Sequence, residues 1–383
     1  MSKLLSQGGF GCVYYPGLSC KGKSSSKKAK AVTKLAEKGF NSDNEVKIGN
    51  LVKKIPLSKD FFLPVIKTCP IDIRKIDKGL LSECKIIKKS INKYILMDVP
   101  YSPGKPFAQI FKEGDIDKKK FLLTLTETYS YLLLAVKNLI NIYIVHFDLK
   151  AVNILYNSST QDPQIIDFGI SIPIKKINNN NIKNYFYIYA PEYYVWPLEV
   201  HVLGFILYET NVELTSDDSK RIAKEYTTSN SALSIYSHEL RSLFQNACER
   251  EINKYVGKSR TNVISDLMKF YKTWDNYSIS IIFLKLFEYI FPTGYYNNPL
   301  LINFSKLLLL NINPDPNKRL TIDDTIKNFG DIFYKDASVN SYLNVIDNIT
   351  IDADTATIQI NKDLDVLKVA RDNRLNKQKI EIK

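Results

Sequence analysis

The rhythm of apolar and polar positions changes along the chain. Residues 1–15 read as strand, glycine turn, strand, with Cys12, Val13, Tyr14 and Tyr15 suited to a pleated surface. The stretch 21–30 holds five lysines and three serines, a loop composition. Ala31-Val32-Thr33-Lys34-Leu35 then reads as a strand. Asn41 to Lys54 has helical spacing, with Val46, Leu51 and Ile55 as apolar positions and Asp43 as the cap. Ile86 to Val99 contains two strand-like runs, and Tyr101 to Pro106 reads as a linker. From about residue 118 the helical signal takes over. Lys119 to Ile144 predicts a long amphipathic helix, 198–209 a buried helix despite Gly204, and 279–310 two apolar helices about a Pro/Gly turn at 292–294. The Asn-rich stretch 175–184 predicts a mobile loop, and Leu364 to Leu375 a terminal helix. Strands with one helix, then mostly helices, predict two unlike lobes in an α+β fold.

Composition narrows the class. The 383 residues are 45% apolar and 24% charged, ordinary globular values, and 12% aromatic, too many for a solvated disordered chain. The net charge of +13 favours anionic partners without selecting one, and a lysine-rich solvated surface accounts for most of it. Nucleic acid is therefore not expected as the primary partner. Five scattered cysteines without a CxxC pair argue against a zinc ribbon and a dense disulfide framework, and predict a reducing, intracellular compartment. No signal peptide is visible. The most apolar stretch, Tyr129 to Phe147, is broken by Lys137, Asn138 and Asn141, so no membrane span is expected.

The chemistry sits in short ordered strings. Gln7-Gly8-Gly9-Phe10-Gly11-Cys12-Val13-Tyr14 is by itself as good a hairpin turn as a phosphate-binding loop. His146-Phe147-Asp148-Leu149-Lys150-Ala151-Val152-Asn153 is more specific: a carboxylate that can orient an attacking hydroxyl lies five residues before an amide that can hold a divalent ion. Ile165-Ile166-Asp167-Phe168-Gly169 suits a strand delivering a metal-binding carboxylate. Ala190-Pro191-Glu192 and Asp315-Pro316-Asn317-Lys318-Arg319 follow in order.

Five such strings in sequence resemble the eukaryotic-type protein kinases over roughly residues 2–330. GGFGCVYYPG, Asn44 to Asn50 and Trp196 to His201 are similar in style to the serine/threonine kinases of nucleocytoplasmic large DNA viruses. The resemblance implies a two-lobed fold. A β-rich small lobe with one helix would span 1–99, and a mainly α large lobe 100–335, with an insertion within about 210–275. A polar tail covers 336–383. It also implies ATP and Mg²⁺ as cofactors, protein substrates, and γ-phosphoryl transfer to Ser or Thr. The alternative is a pseudokinase that binds nucleotide or a partner without turnover. By the same resemblance, Ser6, Gly8, Gly9, Phe10, Gly11 and Val13 cover the nucleotide. Lys34 contacts its phosphates and Glu45 fixes Lys34, while Met97 and Asp98 touch adenine. Asp148 and Lys150 are catalytic, and Asn153 and Asp167 bind the metal. Glu192 and Arg319 would form a buried ion pair, and Glu199 would stand for the helix aspartate that braces the catalytic loop. A monomer is expected, in the host cytoplasm or the virion if the chain is viral.

The chain departs from the pattern at Ser6, where the family has glycine, and at Phe147, where an arginine usually pairs with a phosphate on the activation segment. Phe147 predicts activity without that phosphorylation. The 120 positions from Glu199 to Arg319 exceed the family interval, which is what places an insertion there.

Overall fold

A computed structural model describes residues 2–23, 30–87, 93–112, 118–157, 159–160, 162–209, 213–234, 236–290 and 299–333. The terminal helix expected at 364–375, the tail 336–383 and the turn at 292–294 lie outside the described residues. The chain divides into two compact units: Met1–Lys105 with Asn153–Pro173, and Pro106–Val152 with Ile174–Lys383.

The first unit is built on a five-stranded antiparallel sheet: β1 (Lys3–Gly8), β2 (Gly11–Tyr15), β3 (Ala31–Glu37), β4 (Lys67–Ile71) and β5 (Tyr94–Pro100), in the order β1-β2-β3-β5-β4. Gly8 pairs with Gly11, so Gly9 and Phe10 form a two-residue hairpin loop. Leu35 and Cys12 pair across β2 and β3 and enter a core with Tyr14, Leu18, Ile71, Tyr94 and Leu96. Ala36, Val65, Ile95 and Met97 pack together in a second cluster. Strand β4, with Pro70 inside a mixed polar run, gave no sequence signal. Of the first of the two runs expected in 86–99, Ile86 and Ile87 pack against the core outside any strand, and 88–92 lie outside the described residues.

Helix α1 (Phe40–Val52) starts at Gly39, not at Asp43. The Ser42 hydroxyl accepts from the Gly39 amide and donates to its carbonyl, closing the first turn. Its buried residues are Ser42, Asn44, Glu45, Ile48, Gly49 and Val52, so half of the inward face is polar.

Four cysteines are paired, Cys12 with Cys84 and Cys20 with Cys69, leaving Cys248 as a buried free thiol. The expectation of a reducing compartment rested on the absence of a short-range pair. Each pair instead joins a strand cysteine, Cys12 in β2 or Cys69 in β4, to a cysteine outside the strands 72 or 49 positions away, so spacing hid the pairing, and two disulfides fit a non-reducing setting.

The second unit is helical. Helices Lys118–Asn141, Trp274–Ile290, Pro299–Asn311 and Ile322–Phe333 enclose Tyr129, Phe283, Phe304 and Phe329, whose rings meet at 4.8–6.5 Å. Between residues 198 and 268 lie helices Leu198–Tyr208, Ser216–Ser229, His238–Asn253 and Arg260–Met268. Leu198 to Leu207 are all buried. Gly204 is there because a Cβ would lie 2.7 Å from the Ile188 carbonyl oxygen, so only glycine admits that backbone. The Asn-rich stretch is ordered by its own amides: the Asn181 side chain accepts from Asn178 N at 2.9 Å and donates to Lys176 O at 2.8 Å, ahead of a helical turn at Ile182–Tyr185. Among the described residues no helix is long and apolar enough to cross a membrane.

Candidate active site

In the first unit the Lys34 ammonium is clamped between two carboxylates, 2.8 Å from Glu45 Oε2 and 2.9 Å from Asp167 Oδ1. Strand β3 supplies Lys34, the buried face of α1 supplies Glu45, and Asp167 follows the short strand Pro163–Ile165. Burial disfavours the lysine's charge, but Asp167 and Glu45 outweigh it and hold the ammonium above the ordinary lysine range. Burial pushes the Glu45 carboxyl up to about 7 against the pull of Lys34, with Asp167 adding to the rise. Asp167 has φ 66°, left-handed for a non-glycine residue, a strained conformation of the kind that collects at functional sites.

Neighbouring bonds fix this geometry. The Asn44 amide donates to the carbonyls of Gly169 at 3.1 Å and Ser171 at 2.8 Å, tying α1 to the segment after Asp167. Phe168 is buried with its ring against Phe62. The Asn153 carbonyl accepts from Ile166 N at 3.0 Å, and Ile154 pairs with Ile165, so Asn153 and Asp167 stand at the adjacent ends of two paired strands. A Cβ on Gly11 would lie 3.0 Å from both Leu35 O and Lys34 Cγ; glycine lets the hairpin lie directly on the lysine. Ser6, Gly8 and Gly9 are exposed, while Phe10 and Val13 are half-buried. Met97, opposite Lys34 in the β3–β5 ladder, is fully buried. Asp98 is turned into the sheet: its carboxylate accepts from Thr33 Oγ1 at 2.8 Å and its carbonyl from Ile66 N at 2.8 Å.

The second unit holds the other carboxylate. Lys150 Nζ lies 2.9 and 3.0 Å from the two oxygens of Asp148, and 3.2 Å from the Tyr193 hydroxyl, which itself donates to Asp148 Oδ1. Phe147, just before Asp148, has φ 68°. Its amide and that of His146 donate to Asp275, at 3.1 and 2.6 Å. Burial raises the Asp275 carboxyl to about 6, against the pull of those two amides. The brace expected from Glu199 is therefore Asp275, in the first turn of helix Trp274–Ile290. Glu199 has another partner: its two oxygens each lie 2.7 Å from the Arg319 guanidinium, a fork-to-fork pair with side chains 3% and 1% exposed. Arg319 thus pairs with Glu199, not with Glu192. The reason is placement: Glu199 is in the first turn of a fully buried helix, whereas Glu192 lies in the preceding loop.

Phe147 stacks on Trp196 at 4.7 Å, meets Phe186 edge-on at 5.5 Å and tilts against Trp274 at 6.2 Å. Trp196 Nε1 also donates to Phe147 O at 2.7 Å. Tyr193, Asp275 and Asn44 escaped the sequence reading. Asp275 left a trace, a carboxylate in the first turn of a largely apolar helix.

No protein-family model matches the chain, and no curated protein does. Among solved structures, the autoinhibited serine kinase domain of the giant muscle protein titin aligns with a TM-score of 0.42 and 14% identity, over 92% of this chain and 82% of that one. So low a score carries no argument about function.

Proposed function

We propose that the chain is an ATP- and Mg²⁺-dependent protein kinase that transfers the γ-phosphoryl group to Ser or Thr hydroxyls. The observation that carries this reading is the Lys34 ammonium held between Glu45 and Asp167 under a glycine hairpin. A buried lysine clamped in this way is a fixed cation for phosphate oxygens, and the hairpin's exposed glycines let backbone amides approach an anion.

The residues fit both groups. The Asn153 amide oxygen and the Asp167 carboxylate are hard donors of the kind Mg²⁺ takes, and the Asp167 side chain is 30% exposed. Bound Mg²⁺ would neutralise charge on the phosphates. Lys34 would hold the phosphates and Glu45 would hold Lys34. Asp148 would orient the acceptor hydroxyl and receive its proton as the new P–O bond forms and ADP departs. Lys150 would offset the negative charge of the transferring group. The aromatic packing of Phe147 with Phe186 and Trp196 supports activity without a phosphate on the activation segment, since the segment is held by apolar contact where an arginine would need an anion.

The test is transfer from γ-labelled ATP to a mixed set of acidic and basic proteins. Wild type is expected to label serine or threonine. Lys34→Met, Asp148→Ala and Asp167→Ala should each lose about a hundredfold or more. Equal labelling in those variants refutes the assignment. Tight Mg²⁺-ATP binding without any transfer favours the pseudokinase.

A further inference from the structure

The Asp148 carboxylate is engaged from within its own unit. Tyr193 donates to Oδ1, Lys150 Nζ sits at 2.9 and 3.0 Å from the two oxygens, and the carboxylate side chain is 4% exposed. The phenol does not reach this position by chance of a loose loop. Its ring meets Trp196 edge-on at 4.7 Å, Lys150 Nζ lies 5.6 Å from its centroid, and Trp196 is pinned by its stack on Phe147 and its bond to Phe147 O. Tyr193 itself is 5% exposed. A hydroxyl that donates to Asp148 and accepts from Lys150 makes the two contacts that an acceptor serine or threonine hydroxyl would make there.

We propose that Tyr193 is a gate on the acceptor site: its hydroxyl takes the position at Asp148 that an incoming hydroxyl must occupy, and acceptor binding has to displace it. This rests on the assignment of Asp148 above. The gate lowers the fraction of molecules competent to take an acceptor, so it raises the apparent KM for acceptor by the inverse of that fraction and leaves kcat at saturation unchanged. Removing a charge-assisted hydrogen bond of this kind shifts such an equilibrium by about tenfold.

The experiment compares the full-length wild type with Tyr193→Phe, with Asp148→Asn as the zero. It titrates a protein acceptor at saturating Mg²⁺-ATP, and separately measures acceptor-peptide affinity with a non-hydrolysable ATP analogue. The expected result is a KM about tenfold lower in Tyr193→Phe at unchanged kcat, with a matching gain in peptide affinity. A lower kcat at unchanged KM would mean that the phenol positions Asp148 and Lys150 productively, and would overturn the gate. Label on Tyr193 itself would overturn it too, since the residue would then be an acceptor. If wild type transfers nothing, the binding arm still decides: unchanged peptide affinity in Tyr193→Phe overturns the gate, and tighter binding sustains it while the kinase reading fails.

Discussion

Glu199→Ala gives the sharpest test of the second unit's architecture. The substitution strips Arg319 of a bidentate partner whose oxygens lie 2.7 Å away, in a site where both side chains are almost wholly buried. Arg319 keeps its bonds to Asn313 O at 2.7 Å and Thr273 Oγ1 at 3.2 Å, but neither carries charge. An unpaired buried guanidinium costs about 3–5 kcal/mol, and in a unit of this size that lowers Tm by roughly 10 °C. Thermal unfolding followed by circular dichroism measures the shift. A double-mutant cycle of Glu199→Ala with Arg319→Met isolates the pair: the double variant should be no worse than the single ones, giving a coupling of about 2 kcal/mol or more. The parallel cycle with Glu192→Ala should give a coupling near zero. A large coupling to Glu192, or a Glu199→Ala protein that melts with wild type, would refute the pairing.

Four further outcomes follow from the two units. Unfolding without reductant should expose one titratable thiol, Cys248, and reduction should raise the count to all five cysteines; five without reductant would deny the disulfides. Replacing Cys12 and Cys84 together by serine opens a 72-residue loop and should cost about 4 kcal/mol in urea denaturation of the oxidised protein. Stability should fall as pH rises from about 4 to 7, because Asp275 and Glu45 have raised folded-state values of about 6 and 7: their stabilising contribution is full below the unfolded values of 3.8 and 4.5 and is lost as pH climbs through the folded ones. Asp275→Asn should flatten that slope between pH 4 and 6 in denaturation curves taken at each pH, and an unchanged slope would remove Asp275 as its source. Gly11→Ala should cost about 1–3 kcal/mol and weaken Mg²⁺-ATP binding measured by calorimetry, because the new methyl meets a lysine that two carboxylates prevent from moving.

What could be read in the sequence, and what could not, divides by the range of the interaction. Asp148, Lys150, Asn153, Asp167 and the glycine hairpin stand in short strings whose chemistry is local, so residue type and order sufficed to single them out. Pairings across the fold were less legible. Glu192 and Glu199 are seven positions apart, each two or fewer after a proline, and nothing local says which one faces Arg319; only the burial of helix Leu198–Tyr208 decides it. The cysteine pairs depend on where the loops holding Cys20 and Cys84 meet strands β4 and β2, which spacing does not reveal. Helix α1 is the instructive failure. Its apolar stripe pointed to Val46, Leu51 and Ile55, yet Asn44 and Glu45 are buried more deeply than Val46 or Leu51. They can be, because Lys34 and the carbonyls of Gly169 and Ser171 satisfy them. The same logic covers Asp275, whose carboxylate sits in the first turn of a largely apolar helix because two loop amides wait for it. A polar residue where the hydrophobic pattern expects core is therefore the place to look for a partner at a distance, and these two cases lead to the residues around Lys34 and Asp148.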